Sequence, residues 1–218
     1  MPDFSASLAR LAQYFLPLLL GLTCHEVAHG WIASRLGDPT ARNLGRLTFN
    51  PGKHLDPLGS FVFIMTSLLG GFVIGWAKPV PVDPRYFKNP RNGMMWVSLA
   101  GPGANLVLAV LFSLLLRLIV FVFQGQEGGY IDTIVYPLAL IAKAGVDVNI
   151  MLAIFNLLPM PPLDGSKVVA NLLPFQAAYK YLSFGERYGF FLILLLLATG
   201  LLTYVIVPPF LLIRSLLL

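Results

Sequence analysis

Charged residues are scarce in this sequence. They make up 11% of its 218 residues, against about 25% in an average soluble domain, and 57% of the chain is hydrophobic. This composition excludes a water-soluble fold of this size. Several apolar runs reach the roughly 20 residues that a helix needs to span a bilayer, and they do not alternate as barrel strands do. We therefore predict an all-α polytopic membrane protein embedded in the lipid bilayer.

Cysteine is also nearly absent. The single Cys24 excludes an intrachain disulfide. The N-terminal apolar run has no clear small-residue cleavage site and contains ionisable residues, so we interpret it as a retained first span rather than a signal peptide. The net charge of +5 is typical of basic cytoplasmic loops in a membrane protein, and we predict no nucleic-acid partner.

Polar turns and prolines divide the chain into apolar segments, at about residues 8–36, 58–76, 94–123, 131–155 and 188–215, with a short helix at about 166–173. The prolines of the strip Lys78–Pro84 and of the break at residues 156–165 exclude regular helix there. No segment has the composition of a soluble domain. Residues 1–218 are therefore predicted to form a single membrane-embedded domain.

The first apolar segment carries the sequence His25-Glu26-Val27-Ala28-His29. Residues i and i+4 leave a helix on one face, so both imidazoles suit one tetrahedral Zn²⁺. Glu26 lies close to that face, where it can take a proton from the attacking water. Ionisable groups within a membrane span are costly and tend to mark function. The alternative is a polar patch satisfied by neighbouring helices.

Two histidines leave a catalytic zinc one protein ligand short. Asp164 is a candidate, because it follows the proline-containing run at residues 156–163, and irregular backbone at membrane depth is tolerated only around a buried cavity or site. The alternative is that Asp164 caps the helix that begins near Ser166.

The two motifs together resemble those of the site-2 protease family of zinc intramembrane metalloproteases, which pairs H-E-x-x-H with a distant N-x-x-P-x-P-x-L-D-G. Both are complete here, as His25–His29 and Asn156–Gly165. The resemblance implies that Asp164 is the third zinc ligand and that Asn156 positions substrate or stabilises the oxyanion. A structural alternative for Asn156 is a bond to backbone freed by the proline break.

Two further stretches resemble this family. Residues 101–105, Gly-Pro-Gly-Ala-Asn, are similar to the glycine-rich part of its middle core helix, and we interpret them as close helix packing. Residues 48–57 resemble the loop of the small subgroup that lacks accessory soluble domains. His54 in that loop is interpreted as a solvent or interface histidine rather than an alternative or regulatory ligand.

One zinc shared by His25, His29 and Asp164 requires both motifs to lie at the same membrane depth. Both flanks of residues 58–76 are basic, whereas residues 124–130 contain no Lys or Arg. We therefore predict a core of three transmembrane helices around the zinc, with residues 58–76 as a re-entrant hairpin or an in-plane element between the first two, and an additional C-terminal helix. The basic loops place the site toward the cytoplasmic side of the plasma membrane.

The function that this resemblance implies is hydrolysis of peptide bonds within or near transmembrane segments of membrane-tethered substrate proteins, in regulated intramembrane proteolysis. The expected partners are a membrane-spanning substrate and a regulatory membrane partner or a second copy of the chain. The alternative is a membrane metal transporter or metal-sensing protein that uses the same ligands. Such a protein would not need Glu26.

Overall fold

The computed structural model describes residues 4–69 and 75–218, and in this part of the chain the regular structure is helical. The helices are α1 Phe4–Arg35, α2 Thr40–Asn43, α3 Pro57–Leu69, α4 Pro90–Phe123, α5 Tyr136–Leu157, α6 Gly165–Leu172, α7 Phe175–Ala198 and α8 Leu201–Leu217. Short 3₁₀ turns occur at Pro51–Lys53 and Pro84–Tyr86, and a π-helical turn, Ile131–Val135, leads directly into α5. The all-α prediction is confirmed.

Four of these helices are long and apolar enough to cross a membrane: α1 from Leu11, α4, α5 with its π-helical turn, and α7. The outer face of α4 exposes large apolar side chains, among them Leu111, Leu114, Leu118 and Phe121. An apolar surface of this extent requires lipid or a partner to cover it. The prediction of a multi-pass membrane protein is confirmed.

Helices α1, α4 and α5 pack against one another and form the core. Small residues such as Ala109 and Ala153 are fully buried between them, which lets the backbones approach closely. A cluster of buried apolar side chains then joins this core to α7 and α8. Its members are Ala109, Val146, Ile150, Ile154, Leu158, Ile193, Leu202 and Ile206.

The C-terminal region differs from the single helix expected at about residues 188–215. Helix α7 begins earlier, at Phe175, and the apolar stretch is divided at Gly200 into α7 and α8. Gly200 has φ 74°, a left-handed conformation that glycine adopts readily and that ends a helix. Arg214 of α8 pairs with Asp147 of α5 at 2.7 Å. The apolar residues on both sides of Gly200 concealed this break in the sequence.

The two ends of the predicted hairpin lie side by side. Helix α3 has 13 residues, about 20 Å, which is shorter than the roughly 30 Å hydrocarbon core. Leu55 and Ala77 form an antiparallel bridge, and Lys78 N donates to His54 O at 2.7 Å. The tip of the hairpin, residues 70–74, lies outside the described residues. The described ends have the arrangement that the hairpin prediction requires.

Residues 77–83 contain no helix and form a strip that its prolines keep extended. Arg46 donates to Lys78 O at 2.7 Å, and Asp83 N donates to Asp38 Oδ2 at 2.7 Å. Asp38 is fully buried and also accepts from Thr40 N at 2.9 Å. The loop after α1 and this strip therefore form one layer at the end of the bundle where α1 ends and α4 begins.

Cysteine labelling tests the hairpin. In a Cys24→Ser background, single Lys53→Cys and Lys88→Cys substitutions place exposed thiols on either side of it. We expect a membrane-impermeant maleimide to label both from the same face of the membrane. A Glu127→Cys variant should be labelled from the opposite face, because α4 lies between Lys88 and Glu127. Labelling of the Lys53→Cys and Lys88→Cys variants from opposite faces would contradict the hairpin.

Candidate metal centre

The structure brings His25, His29 and Asp164 together in a triangle. The two Nε2 atoms are 2.9 Å apart, and Asp164 Oδ2 lies 3.2 Å from each of them. The three residues are 6%, 8% and 9% exposed. The histidines leave α1 on one face, as the helical spacing predicts. Asp164 is the residue directly before α6, and its side chain extends to both imidazoles.

The size of the triangle fits a zinc ion. With bonds of about 2.0–2.1 Å, two ligand atoms of a tetrahedral zinc lie about 3.3 Å apart. The observed separations of 2.9 to 3.2 Å are close to that value. Two nitrogens and one oxygen are also the donor set that zinc takes in catalytic sites.

The hydrogen bonds on the far side of each imidazole also fit a metal. His29 Nδ1 lies 2.7 Å from Val97 O, and His25 Nδ1 lies 2.7 Å from Asn105 Oδ1. Both oxygens can only accept, so each ring carries its proton on Nδ1 and directs an Nε2 lone pair at the centre. Two lone pairs and a carboxylate oxygen face one another, which is unfavourable in a buried site unless a cation lies between them.

Gly101 of α4 lies directly against ring atoms of both imidazoles, which are perpendicular to each other. A Cβ atom at this position would be 2.5 Å from His29 Nε2 and 2.6 Å from His25 Cε1. Residues 101–105 therefore do allow close packing, as the sequence interpretation proposed, but at Gly101 the packing partners are the metal-site histidines themselves.

Asp164 occupies the N-cap position of α6, but its side chain makes no capping hydrogen bond. Its Oδ2 is directed at the histidines, and its Oδ1 lies 3.5 Å from Lys167 Nζ. This orientation argues against the helix-cap alternative.

Helix α7 and Arg91 hold the segment that carries Asp164. Gly185 and Gly189 of α7 lie directly against Pro161, and a Cβ on either glycine would overlap it. Arg91 of α4 donates to Ala170 O at 2.6 Å and to Leu173 O at 2.5 Å, at the C-terminal end of α6. None of these contacts is predicted from the sequence. Glycines four residues apart on an apolar helix were the available signal.

Glu26 is half-buried beside the triangle and contacts the extended strip, because its Oε2 accepts from Val80 N at 2.7 Å. Asn156 lies at the C-terminal end of α5, where its Nδ2 donates to Leu152 O at 2.9 Å. This bond is to the helix one turn earlier rather than to the proline break.

His54 is 2% exposed, so the solvent interpretation of this residue is wrong. Its Nε2 lies 2.8 Å from Thr48 O, and its own carbonyl accepts from Lys78 N. His54 therefore joins the loop after α1 to the base of the hairpin, and the metal triangle does not include it.

Asn105 is the site residue that the sequence analysis missed. It was assigned only to a packing motif, yet its side chain contacts His25. An amide within an apolar span was the available signal, because polar groups at membrane depth tend to be functional.

A glycine-to-alanine pair tests the contact of Gly101 with the imidazoles. We expect Gly101→Ala to weaken zinc binding at least about tenfold, because the new methyl group displaces both rings from ligand geometry. Gly103→Ala is the matched control on the same helix, since nothing lies within 4 Å of a Cβ there. Zinc content and competition with a chromophoric chelator measure the difference. Equal zinc affinity in the two variants would contradict this account of Gly101.

Comparison with known proteins identifies the family of this chain. The model of Peptidase family M50 matches residues 13–144. YwhC of Bacillus subtilis, which is named as a zinc metalloprotease, is 39% identical over 201 residues, or 92% of this chain and 87% of YwhC. Rip2 of Mycolicibacterium smegmatis, also named as a zinc metalloprotease, is 31% identical over 187 residues, or 83% of this chain and 64% of Rip2.

Rip2 of Mycobacterium tuberculosis H37Rv, which is named in the same way, is 32% identical over 152 residues, or 67% of this chain and 52% of Rip2. The chain thus spans between half and two thirds of the length of these mycobacterial relatives. No solved structure gives a significant match. On the family match and the relation to YwhC, the chain belongs to peptidase family M50, the site-2 protease family, and is a zinc-dependent metalloprotease.

Proposed function

We propose that this protein hydrolyses peptide bonds within or near transmembrane segments of membrane-tethered substrates, at a zinc ion held by His25, His29 and Asp164. The observation that carries the proposal is the convergence of three buried ligand atoms beside the half-buried carboxylate of Glu26. Residues 1–218 act as a single membrane-embedded domain in this proposal. Regulated intramembrane proteolysis is the biological role that fits it.

The depth of the centre supports a membrane-embedded substrate. His25 lies ten residues before Arg35, the last residue of α1, which corresponds to about 15 Å along the helix. A hydrocarbon core is roughly 30 Å thick. A peptide bond that reaches such a depth belongs most simply to a segment that already lies in the membrane.

The side chains divide the chemistry between them. Zinc, when bound, supplies Lewis-acid polarisation of a carbonyl and acidifies water. Glu26 takes a proton from the attacking water and later transfers it to the leaving amine nitrogen. Its Oε2 accepts from Val80 N, which leaves Oε1 for this proton transfer. Asn156 assists by positioning substrate or stabilising the oxyanion.

The extended strip is a surface for an unwound substrate. A helical substrate hides its amides, so a segment must unwind before hydrolysis. Residues 77–83 are extended and contact Glu26 through Val80, and a strand can pair with exposed extended backbone. We expect the cleaved segment to lie along this strip.

The active site faces the cytoplasm in this proposal, and the protein resides in the plasma membrane. Exposed basic residues, including Arg42, Lys53 and Lys88, lie in the loops at the end of the bundle nearest the metal centre. Such loops are retained on the cytoplasmic side. Control of substrate access falls to the membrane-embedded part, to a regulatory membrane partner or to a second copy of the chain.

Glu26→Gln separates a protease from a metal transporter that uses the same ligands. We expect this variant to keep stoichiometric zinc and to lose at least about 10²-fold in cleavage rate, because the amide cannot act as a base. Zinc content and cleavage of a single-span substrate are measured on purified protein in lipid nanodiscs. Wild-type cleavage by Glu26→Gln would remove Glu26 from the mechanism, and a wild-type protein without zinc or cleavage would refute the proposal.

The contact between Glu26 and the strip is tested at Val80. Val80→Pro removes the N–H donor between two existing prolines, Pro79 and Pro81. We expect kcat to fall about 10- to 100-fold with unchanged zinc content, because a hydrogen bond to a charged group contributes about 1.5–3 kcal/mol. Val80→Ala keeps the donor and removes buried side-chain packing, so it serves as the control. Equal losses in the two variants would show that packing, rather than the hydrogen bond, is responsible.

A further inference from the structure

Two asparagine side chains lie fully buried in the three-helix core, Asn105 on α4 and Asn149 on α5. Burying an amide in an apolar environment costs free energy unless its hydrogen-bonding groups find partners. Both amides have hydrogen-bond partners. Together they form a chain of hydrogen bonds that runs from a backbone carbonyl of α5 through Asn149 and Asn105 to the imidazole of His25.

The direction of these hydrogen bonds is determined by fixed backbone acceptors. Asn149 Nδ2 donates to Gly145 O at 2.9 Å, which turns Asn149 Oδ1 toward α4. Asn105 Nδ2 donates to that Oδ1 at 3.0 Å and to Gly21 O at 3.0 Å. Both N–H groups of Asn105 are thereby used, and its Oδ1 faces His25 Nδ1 at 2.7 Å.

We infer that Asn105 is a positioning residue that holds His25 with its proton on Nδ1, and that Asn149 sets the direction of the Asn105 amide. An amide oxygen only accepts, so the His25 proton lies on Nδ1 and the Nε2 lone pair is left for the metal. The inference rests on the proposed function, because it assumes that His25 Nε2 is a zinc ligand.

The two histidines are held by different kinds of partner. His29 Nδ1 donates to the backbone carbonyl of Val97, which side-chain substitution does not remove. His25 depends on a side chain, and this side chain in turn depends on Asn149. Substitution of Asn105 or Asn149 should therefore affect His25 specifically, and the His29 ring provides an internal reference.

A purely structural role gives a different expectation. Asparagines that only link helices α1, α4 and α5 would contribute to stability, as interhelical hydrogen bonds in membranes do. They would not change one imidazole while leaving the other unaffected. The state of the ring N–H groups therefore distinguishes a positioning role from helix packing.

The test uses full-length, zinc-loaded protein and five variants: Asn105→Leu, Asn105→Asp, Asn149→Leu, His25→Ala as the loss-of-ligand reference and Ser113→Ala as a control. Ser113 is a buried polar residue of α4 whose hydroxyl donates to Leu217 O. Two quantities are measured: the zinc Kd by chelator competition, and the Nδ1–H resonances in NMR of protein with ¹⁵N-labelled histidine. The chain has only three histidines, so the spectrum is simple.

Loss of the Asn105 amide should change both quantities. We expect Asn105→Leu to raise the zinc Kd about 10- to 100-fold and to shift the His25 Nδ1–H upfield while that of His29 stays in place. Asn105→Asp should retain the downfield His25 signal, because a carboxylate also accepts from Nδ1; its second oxygen faces Gly21 O and Asn149 Oδ1, so this variant is compared through the His25 signal alone. Asn149→Leu should give a smaller rise in Kd, since Gly21 O still holds one N–H of Asn105. Ser113→Ala should match wild type.

The outcomes separate this inference from the metal centre itself. Full zinc retention in His25→Ala would refute the proposed ligand set. Zinc loss in His25→Ala, together with a wild-type Kd and His25 resonance in Asn105→Leu, would overturn only the role of Asn105. If Asn105→Leu fails to fold, Asn149→Leu decides, and an unchanged His25 resonance and Kd in that variant would overturn the inference.

Discussion

The structure depends on the meeting of His25, His29 and Asp164, three side chains from distant parts of the chain that could hold a metal ion, at a depth where unpaired charge is costly. Helix α1 supplies two of them through its own periodicity. The third, Asp164, is in place only because α4 and α5 carry the chain away and back, so that the proline break ends beside His25 and His29. The predicted hairpin of residues 58–76 would meet the same requirement, since a further crossing before α4 would leave Asp164 at the other end of the bundle.

Irregular backbone near the centre is held by close contacts rather than by solvent. Membrane interiors offer no water to backbone amides, so non-helical segments must be enclosed by protein. Pro161 lies against the glycines of α7, and Arg91 binds the last carbonyls of α6. Helix α7 and the start of α4, which contribute no ligand, thus determine where Asp164 lies.

The two imidazoles and the glutamate are positioned by different parts of the fold. Helices α4 and α5 orient the imidazoles through Val97, Asn105 and Asn149. The strip of residues 77–83 orients Glu26 through Val80 N, and the strip itself is attached to the loop after α1 through Asp38 and Arg46. A displacement of the loop after α1 and of the strip would therefore move Glu26 directly, whereas the two imidazoles are held by α4 and α5.

The sequence by itself determined the class of the protein and the face of α1 that carries His25 and His29, with Glu26 close to it, because composition and helical period are local properties. Only the tertiary structure decided that Gly101 lies against the imidazoles, that Asn105 contacts His25, that His54 is buried, and that the C-terminal stretch divides at Gly200. The physical reason is that a pattern along one chain segment indicates which face is buried but not which residue of another helix it meets. For Asp164 both sources were needed. The sequence motif identified the residue, and helix packing determined its distance from the histidines.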